Sequence, residues 1–230
     1  MKRIAIIDVA AMPAPYLDGF GGVAPMVTDW LGPHLPDVDL IGVDVIGGAV
    51  LPDVAAFDGF ILPGSEAGVY DEREWMEPLR VLLLDIRAAG KPVFGICFGH
   101  QMMAHTFGGR AEKVDQGFCL GSRDFVGSGG ETILGHVSHQ DQVVAVPPGA
   151  SVAVRSGYCP VAALEYDFPA LSTQFHPEYR PDMMDAIADT LEGDLMSAGE
   201  AQAAKESVAV RPAAEDLFAM RVVEFFRQHM

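Results

Sequence analysis

One cysteine in the sequence has a spacing that suits nucleophilic chemistry. Residues 95–101 read GICFGHQ, so Cys97 stands between two glycines in the form G-x-C-x-G. The G-x-S-x-G nucleophile elbow has the same form, with oxygen in place of sulfur. An elbow strains the nucleophile's backbone and holds it at a helix N-terminus, where the peptide dipoles favour a thiolate. By itself the spacing also fits a buried, inert cysteine.

A second stretch supplies a base and a carboxylate. Residues 174–178 read QFHPE and follow an apolar run. Because the residue before a proline favours extended backbone, we expect His176 at the end of a strand. Residues two apart in extended chain face the same side, so Glu178 can orient His176. A surface loop is the alternative for this stretch alone, but both stretches together predict a triad of Cys97, His176 and Glu178.

Four segments in this order resemble the class I glutamine amidotransferases of the triad type. Two are the stretches just described. Residues 137–143 (VSHQDQV) resemble the Ser-His-x-Asp loop of the branch related to the amidotransferase domain of GMP synthase. Residues 61–71 (ILPGSEAGVYD) occupy the family's oxyanion-loop position. The resemblance covers roughly residues 2–190 and implies a flavodoxin-like fold and hydrolysis of a γ-glutamyl amide through a thioester on the cysteine.

The resemblance also implies roles for the other residues of the site. The N–H groups of Gly64 and Phe98 are expected to form the oxyanion hole. Many members have a second glycine where this chain has Ser65, so the N–H that completes the hole is left open. The residues expected to hold the amino-acid end of the substrate are Gln101, Ser138, His139 and Asp141.

Composition excludes several classes of partner. The 230 residues carry a net charge of −17, which repels nucleic-acid phosphates and anionic membrane surfaces. Half of the residues are hydrophobic, enough for one large domain. The three cysteines predict no disulfide framework and favour a reducing compartment. With no apolar run long enough to span a membrane, we expect a soluble, cytoplasmic protein with no nucleic-acid or membrane partner.

Hydrophobic periodicity predicts the elements that position the site. The continuous apolar run at 4–7 is the pattern of a strand buried on both faces, and further strands are predicted at 40–46 and 57–62. Helical patterns lie at 23–31, 73–89, 101–107 and 182–191. Strands that alternate with helices through short links form a parallel sheet, whose functional rim lies at the carboxyl ends of the strands. That rule alone places Gly64 and Cys97 on one rim.

Between residues 110 and 175 short strands alternate with turns, which predicts an antiparallel extension of the sheet. We therefore expect an α/β fold: a three-layer sandwich with a mostly parallel central sheet flanked by helices. Residues 1–191 are expected to form the amidotransferase domain, and 192–230 a C-terminal loop and helix packed on it. Residues 193–210 read as a loop or a loosely packed helix. A last helix is predicted to open at Pro212 and to pack through Leu217, Met220, Val223 and Phe226.

Other candidate sites are weaker. His136 and His139 could suggest a metal pair, but zinc needs further ligands, and we predict no metal. The glycines of residues 19–22 do not form a dinucleotide motif, so we predict no cofactor. Cys119 and Cys159 have no neighbouring base and are expected to be structural. The pairs at 102–103 and 183–184 are methionines and read as core packing.

Three functions fit the sequence. One is a free-standing hydrolase or transferase of γ-glutamyl compounds, which the lack of an attached synthase favours slightly. Another is a glutaminase that supplies ammonia to a synthase encoded as a separate protein. A third is a non-catalytic role, with Cys97 as a redox sensor or the fold as a binding module. The His-Glu pair argues against the third, because a sensor does not need it. The sequence leaves the leaving amine, the acceptor and the oligomeric state open.

Overall fold

The structure, a computed structural model, describes residues 1–12, 18–210 and 215–230, apart from the side chains of 215–217. The predicted helix start at Pro212 and the packing of Leu217 lie outside the described residues. The strands are β1 Lys2–Asp8, β2 Val38–Asp44, β3 Gly59–Leu62, β4 Val93–Ile96, β5 Arg110–Lys113, β6 Cys119–Gly127, β7 Thr132–His139, β8 Asp141–Ala145, β9 Ala150–Arg155, β10 Ala163–Tyr166 and β11 Ala170–Thr173. The helices are α1 Val23–Leu31, α2 Met76–Ala88, α3 Phe98–Thr106, α4 Pro181–Leu191, α5 Ala198–Val210 and α6 Glu215–His229.

Nine of these strands form one mixed sheet in the order β2-β1-β3-β4-β11-β10-β9-β6-β7. The pairings from β2 through β11 are parallel, and those beyond β11 are antiparallel. Strands β5 and β8 form a separate antiparallel pair. The predicted α/β fold, mostly parallel with an antiparallel extension, is confirmed. One detail differs: β11 lies within the parallel part, because the chain returns from the extension to pair beside β4.

The sheet is covered on both faces, which gives the expected three layers. Ile4 and Ile6 belong to the apolar cluster that includes side chains of α1, α4, α5 and α6. The alternating residues Ala5 and Ile7 belong to the cluster that includes α2 and α3. Successive side chains of a strand face opposite sides, so a continuous apolar run such as 4–7 requires cover on both.

The C-terminal helices pack on the first of these layers. The segment for which a loop was the alternative contains helix α5, with Ala201, Ala204 and Val208 buried. On α6 the predictions for Val223 and Phe226 are confirmed, since both are buried. The prediction for Met220 is wrong, because it is 45% exposed. The buried face of α6 consists of Phe218, Ala219, Val222, Val223 and Phe226, and residue 220 lies outside that helical stripe.

Most other boundaries differ from the predictions by a few residues. Helix α2 begins at Met76 rather than at 73, and β3 begins at Gly59 rather than at 57. The methionines at 102–103 and 183–184 are buried, as predicted. No helix in the described part of the chain is long and apolar enough to cross a membrane.

Candidate active site

Three neighbouring parallel strands end at the same rim of the sheet. Gly64 follows β3, Cys97 follows β4, and His176 lies three residues beyond the end of β11. Strand β4 lies between the other two in the sheet. Because the carboxyl ends of parallel strands share one edge, three segments far apart in sequence meet here.

Cys97 stands on a strained turn. Its φ of 51° and ψ of −102° make it the only non-glycine residue with positive φ among the described residues. For a side chain with a Cβ this backbone is costly, and the surrounding contacts must hold it. The N–H of Cys97 donates to the Thr173 carbonyl oxygen at 2.8 Å, and the N–H of Gly99 donates to that of Pro63 at 3.2 Å. The elbow is therefore held on one side by the end of β11 and on the other by the loop that follows β3.

The two glycines of the motif are required by close approach. A Cβ on Gly95 would lie 2.6 Å from the Met103 sulfur, and one on Gly99 would overlap the Leu62 carbonyl oxygen. Real Cβ atoms do not approach other atoms so closely, so either substitution would push helix α3 away from the sheet. The elbow prediction from the sequence thus has a direct steric basis.

His176 and Glu178 form a buried pair. The Nδ1 of His176 lies 2.8 Å from the Glu178 Oε1, and both side chains are almost fully buried. The ring of Tyr179 stacks on the imidazole, with 3.9 Å between ring centroids and 10° between planes. The N–H of His176 donates to the His136 carbonyl oxygen at 2.8 Å. A carboxylate, a ring and a backbone bond therefore fix one orientation of the imidazole.

Two opposing influences set the protonation of His176. Burial is the largest single effect and by itself would lower the pKa of His176, because it disfavours the charged ring. Glu178 and Cys97 each interact with the ring through charge and through a hydrogen bond, and together they outweigh burial and raise the pKa of His176 to about 10. At neutral pH the arrangement therefore favours an imidazolium beside Cys97, the kind of neighbour that activates a cysteine nucleophile.

The two residues predicted for the oxyanion hole flank this pair. A Cβ on Gly64 would lie 2.8 Å from the His176 Cε1 and 3.7 Å from the Cys97 Cβ, so only glycine fits beside the imidazole. Phe98 is the first residue of α3, where the N–H groups have no partner within the helix. The Ser65 hydroxyl donates to the Val9 carbonyl oxygen at 3.0 Å and fixes the loop that follows Gly64.

The residues predicted to bind substrate are also brought together. The Cys97 Sγ lies 3.9 Å from the Ser138 carbonyl oxygen. The His139 Nδ1 donates to the Asp141 carbonyl oxygen at 3.0 Å, and the Gln101 Nε2 donates to the same oxygen at 2.9 Å. These bonds join α3 to the loop between β7 and β8, so the polar side of the site is one connected network.

Three residues of the site were not singled out by the sequence. Gln174 is buried, and its Nε2 donates to the Cys97 Sγ at 3.6 Å while its Oε1 accepts from Gln101 at 3.2 Å. The rule that residues two apart share a face could have found it, since Gln174 stands two before His176. Tyr179 stacks on His176, and the Tyr70 hydroxyl donates to the Asp141 Oδ1 at 3.1 Å. No sequence signal pointed to Tyr70.

Cys97 and His176 open into a cavity of about 350 Å³. Its other lining residues include every predicted site residue except Phe98 and Glu178, which lie behind the elbow and the imidazole. Pockets of this size hold small molecules rather than single ions. The cavity is therefore large enough for a substrate that extends beyond the reacting bond.

The two histidines considered as a metal pair are engaged elsewhere. The His136 ring bonds the Tyr179 carbonyl oxygen at 2.8 Å, while that of His139 bonds Asp141. They stand three apart on β7, and residues an odd number apart face opposite sides of a strand. In the part of the chain that the structure describes, no three His, Cys, Asp or Glu residues are grouped to hold a metal ion.

The other two cysteines differ from Cys97 in their surroundings. Burial raises the pKa of Cys159 to about 12, and it also raises the pKa of Cys119. Both thiols are therefore held in the protonated, unreactive form, consistent with a structural role.

With this geometry in place, the comparisons with known proteins assign the family. The family model for glutamine amidotransferase class-I matches residues 49–188, more than half of the chain. The chain belongs to the class I glutamine amidotransferase family. The matched range includes the loop of Gly64, the elbow of Cys97 and the pair of His176 and Glu178.

Similar proteins include two kinds of relative. Gamma-glutamyl peptidase 4 of Arabidopsis thaliana is 29% identical over 150 residues, which are 60% of this chain and 60% of that protein. A glutamine-hydrolyzing GMP synthase subunit of Halobacterium salinarum is 30% identical over 173 residues, 70% of this chain and 84% of that protein. The chain thus spans less than two thirds of the peptidase's length. A crystal structure of a glutamine amido transferase from Methylobacillus flagellatus has a TM-score of 0.77 at 19% identity, and the match covers 100% of this chain and 96% of that one. At that identity the match concerns the fold alone.

Proposed function

We propose that this chain is an enzyme that hydrolyses the amide of a γ-glutamyl compound, glutamine or a relative of it, through a γ-glutamyl thioester on Cys97. The observation that carries the proposal is the strained backbone of Cys97 beside the buried pair of His176 and Glu178. Strain of this kind persists only where surrounding contacts maintain it, and it is concentrated at functional sites. The similarity to gamma-glutamyl peptidases supports the same chemistry.

The first half of the reaction breaks the amide bond. The Cys97 thiolate attacks the amide carbon, and the negative charge moves to the carbonyl oxygen. The N–H groups of Phe98 and of the Gly64 loop stabilise that charge. As the C–N bond breaks, the imidazolium of His176 gives its proton to the leaving nitrogen, which departs as ammonia or a free amine. A γ-glutamyl thioester and a neutral imidazole remain.

The second half restores the enzyme. Neutral His176 takes a proton from a water molecule while the water oxygen attacks the thioester carbon. The C–S bond then breaks, which releases glutamate and regenerates the thiolate beside the imidazolium. Glu178 keeps Nδ1 protonated in both halves, so that Nε2 exchanges the reacting proton. Gln101, Ser138, His139 and Asp141 are proposed to hold the amino-acid end of the substrate.

A second candidate is an ammonia-supplying role beside a separate synthase. It is favoured by the similarity to the Halobacterium salinarum GMP synthase subunit, of which this chain covers 84%. In that case the isolated chain should be nearly idle and become active when its synthase is bound, because the partner would favour the active conformation of the site. A free-standing hydrolase has no such requirement.

The test is a release assay on the purified full chain. Glutamate is measured with glutamine, γ-glutamyl peptides and γ-glutamyl amides as substrates, and the Cys97 peptide is searched by mass spectrometry for an acyl group after acid quenching. We expect turnover of at least one compound at about 1 s⁻¹ or more, an ordinary rate for an enzyme. Cys97→Ala is the control and should show neither glutamate release nor an acyl group.

The outcomes separate the candidates. Turnover by the isolated chain with an acyl group on Cys97 supports the hydrolase. Inactivity alone, with ammonia release once a synthase is added, supports the ammonia-supplying role instead. Inactivity under both conditions returns the chain to the non-catalytic alternatives of a redox sensor or a binding module.

A further inference from the structure

The catalytic cavity has two unlike sides. Its polar side is the network of Gln101, Ser138, His139 and Asp141 around the thiol. Its apolar side is formed by Met183, Ile187 and Leu191 of helix α4 together with Leu195 just beyond it. The spacing of four residues places Met183, Ile187 and Leu191 on one face of α4, and we call these three residues together with Leu195 the apolar wall. The mechanism described above uses none of its members.

The apolar wall lines the same cavity as the base that is proposed to protonate the leaving nitrogen. His176 gives its proton to that nitrogen, so the leaving group sits next to the imidazole. Tyr179 stacks on the same imidazole and also lines the cavity. Helix α4, which carries Met183, Ile187 and Leu191, begins two residues after Tyr179. The polar network, in contrast, extends from α3 and the β7–β8 loop.

The cavity has to hold both the γ-glutamyl part of the substrate and its leaving group. The cavity measures about 350 Å³ and reaches Leu195, which is 51% exposed at its mouth. A leaving group that covers the wall would remove apolar surface from water, whereas ammonia would leave that surface wet.

The charges around the cavity indicate the kind of amine. None of the described residues that line it is lysine or arginine, whereas Glu66 and Asp141 are present. The chain as a whole carries a net charge of −17. The imidazolium of His176 also lines the cavity, but it is already paired with Glu178. A leaving group with its own carboxylate, such as an amino acid, would find no lysine or arginine in this lining and would be repelled by the acidic side chains.

From these observations we infer that the preferred substrate is a γ-glutamyl amide of an uncharged apolar amine, whose hydrocarbon group packs on Met183, Ile187, Leu191 and Leu195. The inference rests on the proposed hydrolase function and specifies its substrate class. The reaction is the one written above, with the apolar amine as the leaving group: the C–N bond breaks, His176 protonates the amine nitrogen, and water releases glutamate. The enzyme would therefore consume the product of a reaction that joins glutamate to such an amine.

The experiment compares three matched γ-glutamyl compounds with the purified full chain. γ-Glutamyl isopentylamide and γ-glutamyl-leucine differ only by the carboxylate of the leaving group, and glutamine lacks the hydrocarbon altogether. We expect kcat/KM for the isopentylamide to exceed that for each of the other two by about tenfold or more, since one methylene in an apolar pocket is worth about tenfold or more. Binding of the same compounds to Cys97→Ala should follow the same order, which gives a readout that is independent of turnover.

Two variants test the wall itself. Leu191→Gln and Leu195→Gln should each lower the ratio of isopentylamide to glutamine hydrolysis several-fold, because each places a polar group against the hydrocarbon. Leu84→Gln is the matched control, since Leu84 is 47% exposed on α2 and does not line the cavity. Because both rates are measured on the same protein sample, a loss of folded protein lowers them equally and leaves their ratio unchanged.

The outcomes distinguish failure of the inferred substrate preference from failure of the proposed hydrolase function. Equal or better hydrolysis of glutamine would overturn the inference and leave the hydrolase function in place. Equal hydrolysis of γ-glutamyl-leucine would overturn it as well, because the uncharged amine is part of the statement. An unchanged ratio in both wall variants would show that the wall is core packing only, and would also overturn it. If no γ-glutamyl compound is cleaved, the proposed function itself fails and the inference fails with it.

Discussion

Two buried regions of this molecule each contain a cysteine and a histidine, and they behave in opposite ways. In the first, Cys97 and His176 meet beside Glu178 at the cavity. In the second, the Cys159 Sγ and the His100 Nε2 both donate to the Val161 carbonyl oxygen, at 3.7 and 3.1 Å. The same two side-chain types are therefore set against different partners only a few strands apart.

The partners decide the charge. Burial lowers the pKa of His100 to about 3 and raises that of Cys159 to about 12, so both stay neutral. The other contact of His100 is the Ser172 hydroxyl, 2.8 Å from its Nδ1, which adds no charge. His176 is equally buried, yet the charges of Glu178 and Cys97 raise its pKa to about 10. Burial thus inactivates a Cys–His pair unless a carboxylate stands behind the base.

The largest expected difference between the regions is in catalysis. Cys97→Ala should lower kcat on the best γ-glutamyl substrate by about a millionfold, the scale seen when a nucleophile is removed from a triad. Cys159→Ala is the matched control and should keep kcat within about twofold, because its thiol does not line the cavity. Steady-state kinetics on both variants makes the comparison, and a comparable loss in the two would contradict it.

The second-largest effect is expected when the surroundings of His176 are made to resemble those of His100. Glu178→Gln keeps the shape but removes the charge behind His176, so its pKa should fall towards that of His100. We expect kcat to fall by about ten-thousandfold, as in a serine triad that loses its carboxylate, and so by less than in Cys97→Ala. A pH–rate profile and an unfolding curve accompany the measurement. Full activity in a folded Glu178→Gln protein would reduce the triad to a Cys–His pair.

A third effect concerns thiol reactivity without any substrate. Iodoacetamide at neutral pH should modify Cys97 at least about a hundredfold faster than Cys159, because only Cys97 has an imidazolium and a helix N-terminus beside it. Cys119, whose pKa is also raised by burial, should be slow as well. Peptide mass spectrometry over time gives the three rates, and equal rates would contradict the elbow interpretation.

The smallest effect is on stability, and its sign differs between the regions. His100 stays neutral in the folded state down to about pH 3, whereas the unfolded ring takes up a proton near pH 6.5. Its contribution to the free energy of unfolding is therefore lost as pH falls from 6.5 towards 3. His176 keeps its proton up to about pH 10, so its contribution is complete below pH 6.5 and lost as pH rises towards 10.

Urea unfolding of the wild type and of His100→Gln tests this difference. The stability gap between the two proteins should shrink by about 2 kcal/mol between pH 7 and pH 5, since one proton contributes about 1.4 kcal/mol per pH unit. Between pH 7 and pH 9 the gap should stay constant, because His100 does not titrate there. A gap that is constant over the whole range would mean that His100 is protonated as easily in the folded chain as in the unfolded one.

The sequence alone determined the local features of this protein. The continuous apolar run at 4–7 predicted the buried strand β1, and G-x-C-x-G predicted the strained elbow, because glycine is needed wherever backbone packs this closely. The proline after His176 and the two-residue spacing to Glu178 predicted a pair that the structure places 2.8 Å apart. These features can be recognised from residues a few positions apart, where backbone geometry leaves few choices.

Only the tertiary structure decided what depends on distant contacts. Met220 fits a helical stripe in the sequence, but the face of α6 that meets the sheet excludes it. Tyr70 reaches the site through its bond to Asp141, a residue 71 positions away, which no spacing encodes. The neutral state of His100 likewise depends on distant contacts, since its ring bonds the Ser172 hydroxyl and the Val161 carbonyl oxygen, neither of which carries a charge. Packing across the sheet fixes such contacts, and their energies depend on three-dimensional distance rather than on separation along the chain.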